Sequence, residues 1–332
     1  MKIATDSEIK DFIAKHDRFV IIQADNPDGD SLTSALAMGR VLESLGKTTY
    51  QYCAVRIADY LDYIEGYSSV TSELPPEFDA TIIVDASAKV LFESLNNSDK
   101  GSQIKSKPCF VIDHHTNECD LDFATVIYQK QAVSASQLID ELSKIIGAKL
   151  DIQTKELITI GILSDSLGLV SEATDSGAVR LIADYIDAGV SLSKIDNMRR
   201  ETYRKSPEII RFKAELLSRI EYWADGQVST VTISWNEIQK YSHQYNPSML
   251  VIEDMRQAIG VNIAIAFKVY PDRVTAKLRS NYGIRICDKI AEKFGGGGHP
   301  YASGFKVKGK NINARELTDK VIVEYLKLIK DD

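Results

Sequence analysis

The chain has 332 residues, 44% of them hydrophobic and 26% charged, with a formal net charge of −7. That length allows two domains with sizeable cores, while no apolar run approaches the ~20 residues of a membrane-spanning helix. Four cysteines without a CxxC pair exclude a zinc knuckle or a disulfide frame, and the N-terminus lacks the apolar core of a signal peptide, so we expect a cytoplasmic protein.

In chain order, Arg18–Ala24 (RFVIIQA) is a compact apolar run, read as a buried strand. Ser31–Gly46 places Leu32, Leu36, Val41 and Leu45 at roughly helical spacing, with Gly46 as a stop. Thr81–Ser87 and Cys109–His115 are short β-branched runs that end in polar residues, and Ala124–Gln129 reads as a further strand. Helical patterns follow near Ser134–Ile146, Thr154–Leu163 and Ser176–Ala188. Strands alternating with helices predict an α/β fold whose N-terminal sheet is mostly parallel, with helices on both faces. Ser191–Trp223 reads as helical, with Pro207 as a break or a helix start. Beyond it, strands over Val228–Trp235, Val261–Tyr270 and Arg273–Ser280 mix with helices over Ile286–Phe294 and Ala314–Ile329. This second part predicts a smaller C-terminal α/β domain across a cleft. The expected boundaries are 1–190, a helical linker over 191–225, and 226–332.

The charge is unevenly spread. Gly226 to the C-terminus holds 16 Lys+Arg against 11 Asp+Glu, leaving 24 against 36 for the remainder. An acidic first part suits a site that gathers cations, and a mildly basic second part suits an anionic substrate.

Three predicted strands end alike. The first runs into Asp28-Gly29-Asp30, the second into Asp85, and the third into Asp113-His114-His115, which takes two of the five histidines in the chain. In an open parallel sheet, ligands gather at the carboxyl ends of the strands. Asp165 follows an apolar helical run that could deliver it to the same edge. Any one of these acids alone is most often a turn residue or a helix cap. Crowded carboxylates repel one another unless a cation sits among them. Oxygen ligands with imidazole suit Mn²⁺ or Mg²⁺, and two such ions about 3.5–4 Å apart activate water and clamp a phosphoryl group.

A second cluster joins Arg279 and Ser280 to the run Gly295–Gly298 and His299. Consecutive glycines expose backbone N–H groups and let a substrate approach closely. Arg279 can fork onto a phosphate, and His299 can bond a phosphate or a base. The plain alternative is a flexible loop whose histidine caps something local.

With these motifs in place, the chain resembles the DHH phosphoesterase family over almost its whole length. Asn26–Met38 resembles the family's first motif, Val84–Ser87 its second, Asp113–Asn117 its third and Gly161–Gly168 its fourth. Lys277–Phe305 resembles the DHH-associated C-terminal subdomain. The layout is similar to that of the family's nano-RNase and phosphoadenosine phosphate phosphatase branch. The resemblance implies a catalytic metal-binding domain followed by a substrate-binding domain. It implies two Mn²⁺ ions, with Mg²⁺ or Co²⁺ as alternatives. Asp28 would bind the first metal, Asp30 the second, and Asp85 both, while His114 and Asp165 complete the second site. His115 would contact the scissile phosphate, with Asp113 as close support, so that Asp113, His114 and His115 form the catalytic group. Arg279, Ser280, Gly297, Gly298 and His299 would hold the rest of the substrate. One position departs from the pattern: Ala24 stands where relatives of this size carry a first-metal histidine, which leaves that site short of a ligand.

The implied activity is hydrolysis of oligoribonucleotides of two to five nucleotides, including pApA, and of 3′-phosphoadenosine 5′-phosphate (pAp). Turnover of cyclic-di-AMP or pApA as second messengers is an alternative. A catalytically weakened nucleotide sensor, suggested by Ala24, is another of a different class. The expected partner is short RNA or a nucleotide, with no membrane, no long duplex nucleic acid, and a homodimer as the assembly seen in relatives.

Overall fold

The computed structural model describes residues 3–116, 118–310 and 312–329. The chain divides into two compact units, Met1–Arg204 and Lys205–Asp332.

The first unit opens with α1 (Asp6–Lys15), started by a capping box between Thr5 and Glu8. Its sheet contains β1 (Arg18–Gln23), β2 (Thr48–Cys53), β3 (Ala80–Val84), β4 (Cys109–Asp113) and β5 (Val126–Gln129). The order is β2-β1-β3-β4-β5 and every neighbouring pair is parallel. All five strands therefore present their carboxyl ends to one edge. β3 and β4 are buried throughout, as strands covered on both faces must be.

Alternation along β1 sends Phe19 and Ile21 into one core and Val20 and Ile22 into another. The first core is shared with α2 (Gly29–Ser44), α5 (Ala135–Ile146) and α6 (Ile152–Asp165). The second takes Leu95 from α3 (Glu93–Asn96) and Ile104 from α4 (Asp99–Lys105). α7 (Ser176–Asp187) adds Ile182 and Tyr185 to the first core, and α8 (Leu192–Thr202) adds Ile195. Helices thus cover both faces of a parallel sheet, as the alternating pattern predicts. The strand order reverses between β1 and β3, which makes their carboxyl ends the expected ligand crevice.

The second unit starts with α9 (Pro207–Ser218), where Ser206 caps and Pro207 opens the helix. β6 (Glu221–Trp223), β7 (Val228–Ile233), β8 (Ile263–Val269), β9 (Arg273–Ser280), β10 (Gly297–His299) and β11 (Ala302–Lys308) form a sheet of order β10-β11-β9-β8-β7-β6. Only β7 and β8 are parallel within it. α10 (Trp235–Tyr241), α11 (Pro247–Arg256), α12 (Cys287–Lys293) and α13 (Ala314–Leu328) complete the unit. β9 alternates strictly: Val274, Ala276 and Leu278 enter the core with α12 and α13, while Thr275, Lys277 and Arg279 point to the other face.

The segment 191–225, expected as a helical linker, is α8 in the first unit, α9 in the second, and β6 pairing with β7. Its helical pattern was legible; which core each helix joins is a matter of packing.

Candidate metal centre and anion site

The strand-end residues meet at the carboxyl edge of the first sheet. β4 ends at Asp113, and the two rings that follow lie side by side, with the His114 and His115 centroids 4.4 Å apart. The His114 ring directs Nδ1 to the Ala132 carbonyl at 3.2 Å. A carbonyl only accepts, so Nδ1 carries the proton and donates it. Nε2 is thereby aimed inward, 3.2 Å from Asp85 Oδ1 and 3.2 Å from Asp165 Oδ2. Neither approach has hydrogen-bond alignment: Asp85 Oδ1 and His114 Nε2 are both buried without a hydrogen-bond partner.

Asp113 is fully buried and turns away from this cluster. Its Oδ1 accepts from His115 Nδ1 at 2.7 Å and from the His115 backbone at 3.3 Å, and its Oδ2 accepts from Gln129 Nε2 at 3.3 Å. Burial pushes the Asp113 carboxyl up, but the hydrogen bonds from His115 and Ser87 outweigh it and hold the group below its ordinary value. The bond to Asp113 also raises the His115 imidazole. With Nδ1 engaged, Nε2 of the half-exposed His115 ring is left to face a ligand.

Asp85 follows β3 with φ +57°, a left-handed conformation that is uncommon and strained for a residue with a side chain. Its N–H donates to the Ile112 carbonyl at 2.8 Å, which ties the turn to β4. Its Oδ2 accepts from Ser31 Oγ at 2.5 Å, leaving Oδ1 to face His114. Asp30, 0% exposed, accepts from the N–H groups of Ala135 (2.6 Å) and Ser136 (3.0 Å) at the start of α5. Gly161 of α6 makes room for it, since a Cβ there would lie 2.6 Å from Asp30 Oδ1. Asp28 caps α2, its Oδ1 accepting from Ser31 N–H at 3.0 Å.

Burial raises Asp30 well above the ordinary carboxylate range and also raises Asp85, and neighbouring carboxylates push in the same direction: Asp85 and Asp165 on Asp30, and Asp28 on Asp85. His114 is opposed by burial, yet the close carboxylates of Asp165, Asp85 and Asp30 raise it to about 11. The site therefore attracts positive charge strongly.

Two groups of donor atoms, each within 4.8 Å of one another, emerge among the described residues: Asp85, His114 and His115, and Asp30, His114 and Asp165. Adjacent ligands of an octahedral shell with bonds of about 2.0–2.1 Å stand about 3 Å apart, close to the two 3.2 Å contacts of His114. Together with the orphaned Asp85 Oδ1 and His114 Nε2, this donor set fits a hard divalent cation. His114, rather than Asp85, belongs to both groups, and His115 joins one of them. Asp28, expected as a ligand, belongs to neither. Ala24 is packed in the second core and has no donor; Asp25 turns its Oδ2 to the Ser94 N–H at 2.6 Å, keeps a buried Oδ1 without a partner, and belongs to neither donor group.

In the second unit, β10 folds back on β11. Arg279, Gly297 and Gly298 line a concavity of ≈ 400 Å³ together with Lys268, Lys277 and Ser248. Its described lining contains three cations and no acid. The glycines differ in role. A Cβ on Gly298, at φ +139°, would lie 2.7 Å from the Ala302 carbonyl, whereas one on Gly297 meets nothing within 4 Å. Gly298 permits strand pairing, and Gly297 leaves backbone open to a ligand. Ser280, expected at the substrate, is buried and donates to the Ile284 carbonyl at 2.6 Å. His299 is exposed on β10 outside the concavity lining. Ser31, Ser87, Gln129, Lys268 and Lys277 were not foreseen. Ser31 follows Asp30 directly, and Lys277 shares the face of Arg279 by strand alternation, so those two were within reach.

Residues 18–162 match the family model described as DHH family, N-terminal domain. The chain is 26% identical over 293 residues to a bifunctional oligoribonuclease and PAP phosphatase NrnA of Thermus thermophilus, covering 87% of this chain and 83% of that protein. It is 25% identical over 325 residues to the protein of the same description from Mycoplasma genitalium, covering 97% of each. In fold it is similar to the crystal structure of an exopolyphosphatase-related protein from Bacteroides fragilis, with TM-score 0.82, 21% identity and 99% of both chains covered.

Proposed function

Because residues 18–162 match the DHH-family N-terminal domain, we propose that the chain is a metal-dependent phosphoesterase of that family that hydrolyses very short oligoribonucleotides, pApA among them, and pAp. The observation that carries this reading is the convergence of Asp30, Asp85, His114 and Asp165 at the strand-order switch. The descriptions of the curated relatives as oligoribonucleases and PAP phosphatases support the substrate class.

Asp30, Asp85, His114 and Asp165 would hold the cations, Mn²⁺ in the first instance. Bound there, a divalent ion supplies Lewis-acid polarisation of a phosphoryl oxygen and a lowered pKa of water. Hydrolysis adds water across a P–O ester bond, and the leaving oxygen takes a proton. Asp113 orients His115 so that Nε2 faces the phosphoryl oxygens and offsets the charge that builds on them. Ser31 fixes the Asp85 carboxylate. In the second unit, Lys268, Lys277, Arg279 and the open backbone at Gly297 bind a further phosphate of the nucleotide, which makes that unit a substrate-binding domain.

The test is hydrolysis of pApA, pAp, cyclic-di-AMP and short RNA with Mn²⁺, Mg²⁺ and chelator, by the natural protein and by Asp85→Ala. The reading expects Mn²⁺-dependent turnover of pApA and pAp that Asp85→Ala abolishes. Unchanged turnover by the variant would overturn it, and a preference for cyclic-di-AMP would move the substrate to second-messenger linearisation.

A further inference from the structure

A cavity of ≈ 570 Å³ lies in the first unit at the other end of the helices that carry the metal donors. Gly39, Arg40 and Glu43 come from the late turns of α2, whose first turn holds Asp30, and Gln153 and Glu156 from the first turns of α6, whose last residue is Asp165. At 1.5 Å per residue, Gly39 sits about 14 Å along α2 from Asp30. The edge strand β2 closes one side with Thr49, Tyr50 and Gln51. A volume of this size suits a ring compound with its substituents.

The polar groups of this cavity are unevenly satisfied. Arg40 is neutralised by Asp151 at 2.5 Å, and Lys194 by Glu156 at 2.9 Å. Glu43 accepts from Thr49 Oγ1 at 2.6 Å, and Glu65 from Gln153 Nε2 at 2.8 Å, but neither carboxylate has a cation within ion-pair distance among the described residues. Gln51 is 8% exposed. Its Nε2 donates to the Ala35 carbonyl at 3.2 Å, while its Oε1 has no partner. A buried acceptor without a donor calls for an explanation. Two carboxylates without a cation thus border one cavity, and the Gln51 side chain with its unpartnered Oε1 lies in the wall. Tyr50, Tyr63, Leu36, Leu157 and Met198 supply ring-sized apolar walls.

We propose that this cavity is a second ligand site, separate from the metal centre, that takes a small ring compound carrying a cationic, hydrogen-bond-donating end such as an aryl amine or amidine. The cationic end meets Glu43 and Glu65, and the ring lies between Tyr50 and Tyr63. The proposal does not depend on the activity assigned to the metal centre.

Benzamidine is a suitable probe, with benzoate as its anionic counterpart. Calorimetric titration of the full chain in the presence of Mn²⁺ is expected to show saturable one-to-one binding of benzamidine and none of benzoate. Glu43 and Glu65 are both exposed, so the Glu43→Gln/Glu65→Gln variant should fold, which an unchanged thermal melt verifies. In that variant the Kd for benzamidine should rise at least tenfold. Absence of saturable binding to the natural protein, an equal Kd in the variant, or comparable binding of benzoate would each overturn the proposal.

Discussion

Asp113 Oδ1 accepts a 2.7 Å hydrogen bond from His115 Nδ1 across only two residues of chain. This short reach lets a buried carboxylate at the end of β4 fix a half-exposed ring beside the candidate metal donors. Asp113→Asn keeps the shape but replaces an anion with a neutral amide, which no longer holds the ring as a charged partner. The expected result is a fall in kcat on pApA of about 10²-fold or more, with a smaller change in KM. Steady-state kinetics with saturating Mn²⁺ checks it.

Asp30 does one thing that Asp165 does not. Both belong to a donor group with His114, but only Asp30 also caps the start of α5 through Ala135 and Ser136. Asp30→Ala should cost about 1–2 kcal/mol of stability even in chelator, because two buried N–H groups lose their acceptor. Asp165→Ala should abolish activity with no comparable loss, since it relieves carboxylate crowding. Thermal melts of both variants in chelator separate the two roles.

Metal removal should abolish turnover, and Mn²⁺ should restore it. Equilibrium dialysis with metal analysis should show that His114→Ala loses more bound Mn²⁺ than Asp28→Ala. His114 belongs to both donor groups, whereas Asp28 belongs to neither and caps α2.

Gly297 and Gly298 should respond oppositely to alanine. Gly298→Ala places a Cβ 2.7 Å from the Ala302 carbonyl at a φ that alanine rarely adopts, so the β10–β11 pairing should lose about 1–3 kcal/mol. Gly297→Ala has room, so its melt should be unchanged while KM for pAp rises. Paired melting and kinetic measurements test this.

Asp151 caps α6 and pairs with Arg40. Burial raises its carboxyl, but hydrogen bonds from Arg40 and Thr154 outweigh that and hold it at about 2. The folded pKa lies below the unfolded value of about 3.9, so the stabilisation is present above pH 4 and is lost as pH falls toward 2. Because the group is half exposed, the effect should stay below about 1 kcal/mol. Asp151→Asn keeps a capping side chain and removes the charge. Urea denaturation should show the natural protein more stable than this variant at pH 7, with the difference shrinking between pH 4 and 2.

Elements with strong local signals were legible without coordinates. β1, β3 and β4 are short β-branched apolar runs that suit buried strands, α2 and α5 carry helical periodicity, and α6 is an apolar stretch buried nearly all round. β2 was not read because Thr48–Cys53 is an edge strand with three polar side chains and little alternation, and β10 because Gly297–His299 has no strand signature until β11 pairs with it. α1 and α11 likewise lie outside the elements expected from the sequence, although both begin with side-chain caps.

The candidate site divides in the same way. Chain order alone put Asp28, Asp30, Asp85 and the Asp113-His114-His115 triplet at strand ends, because strand termini are local features and a parallel sheet gathers them. Which donors actually converge depends on separations between elements. The Ala132 carbonyl turns His114 inward, Ser31 turns Asp85, and the start of α5 claims Asp30. Ser280 sits beside Arg279 in sequence, yet strand alternation buries one and leaves the other at the concavity. Sequence thus determined which residues could bind; packing between elements far apart in the chain decided which way each one points.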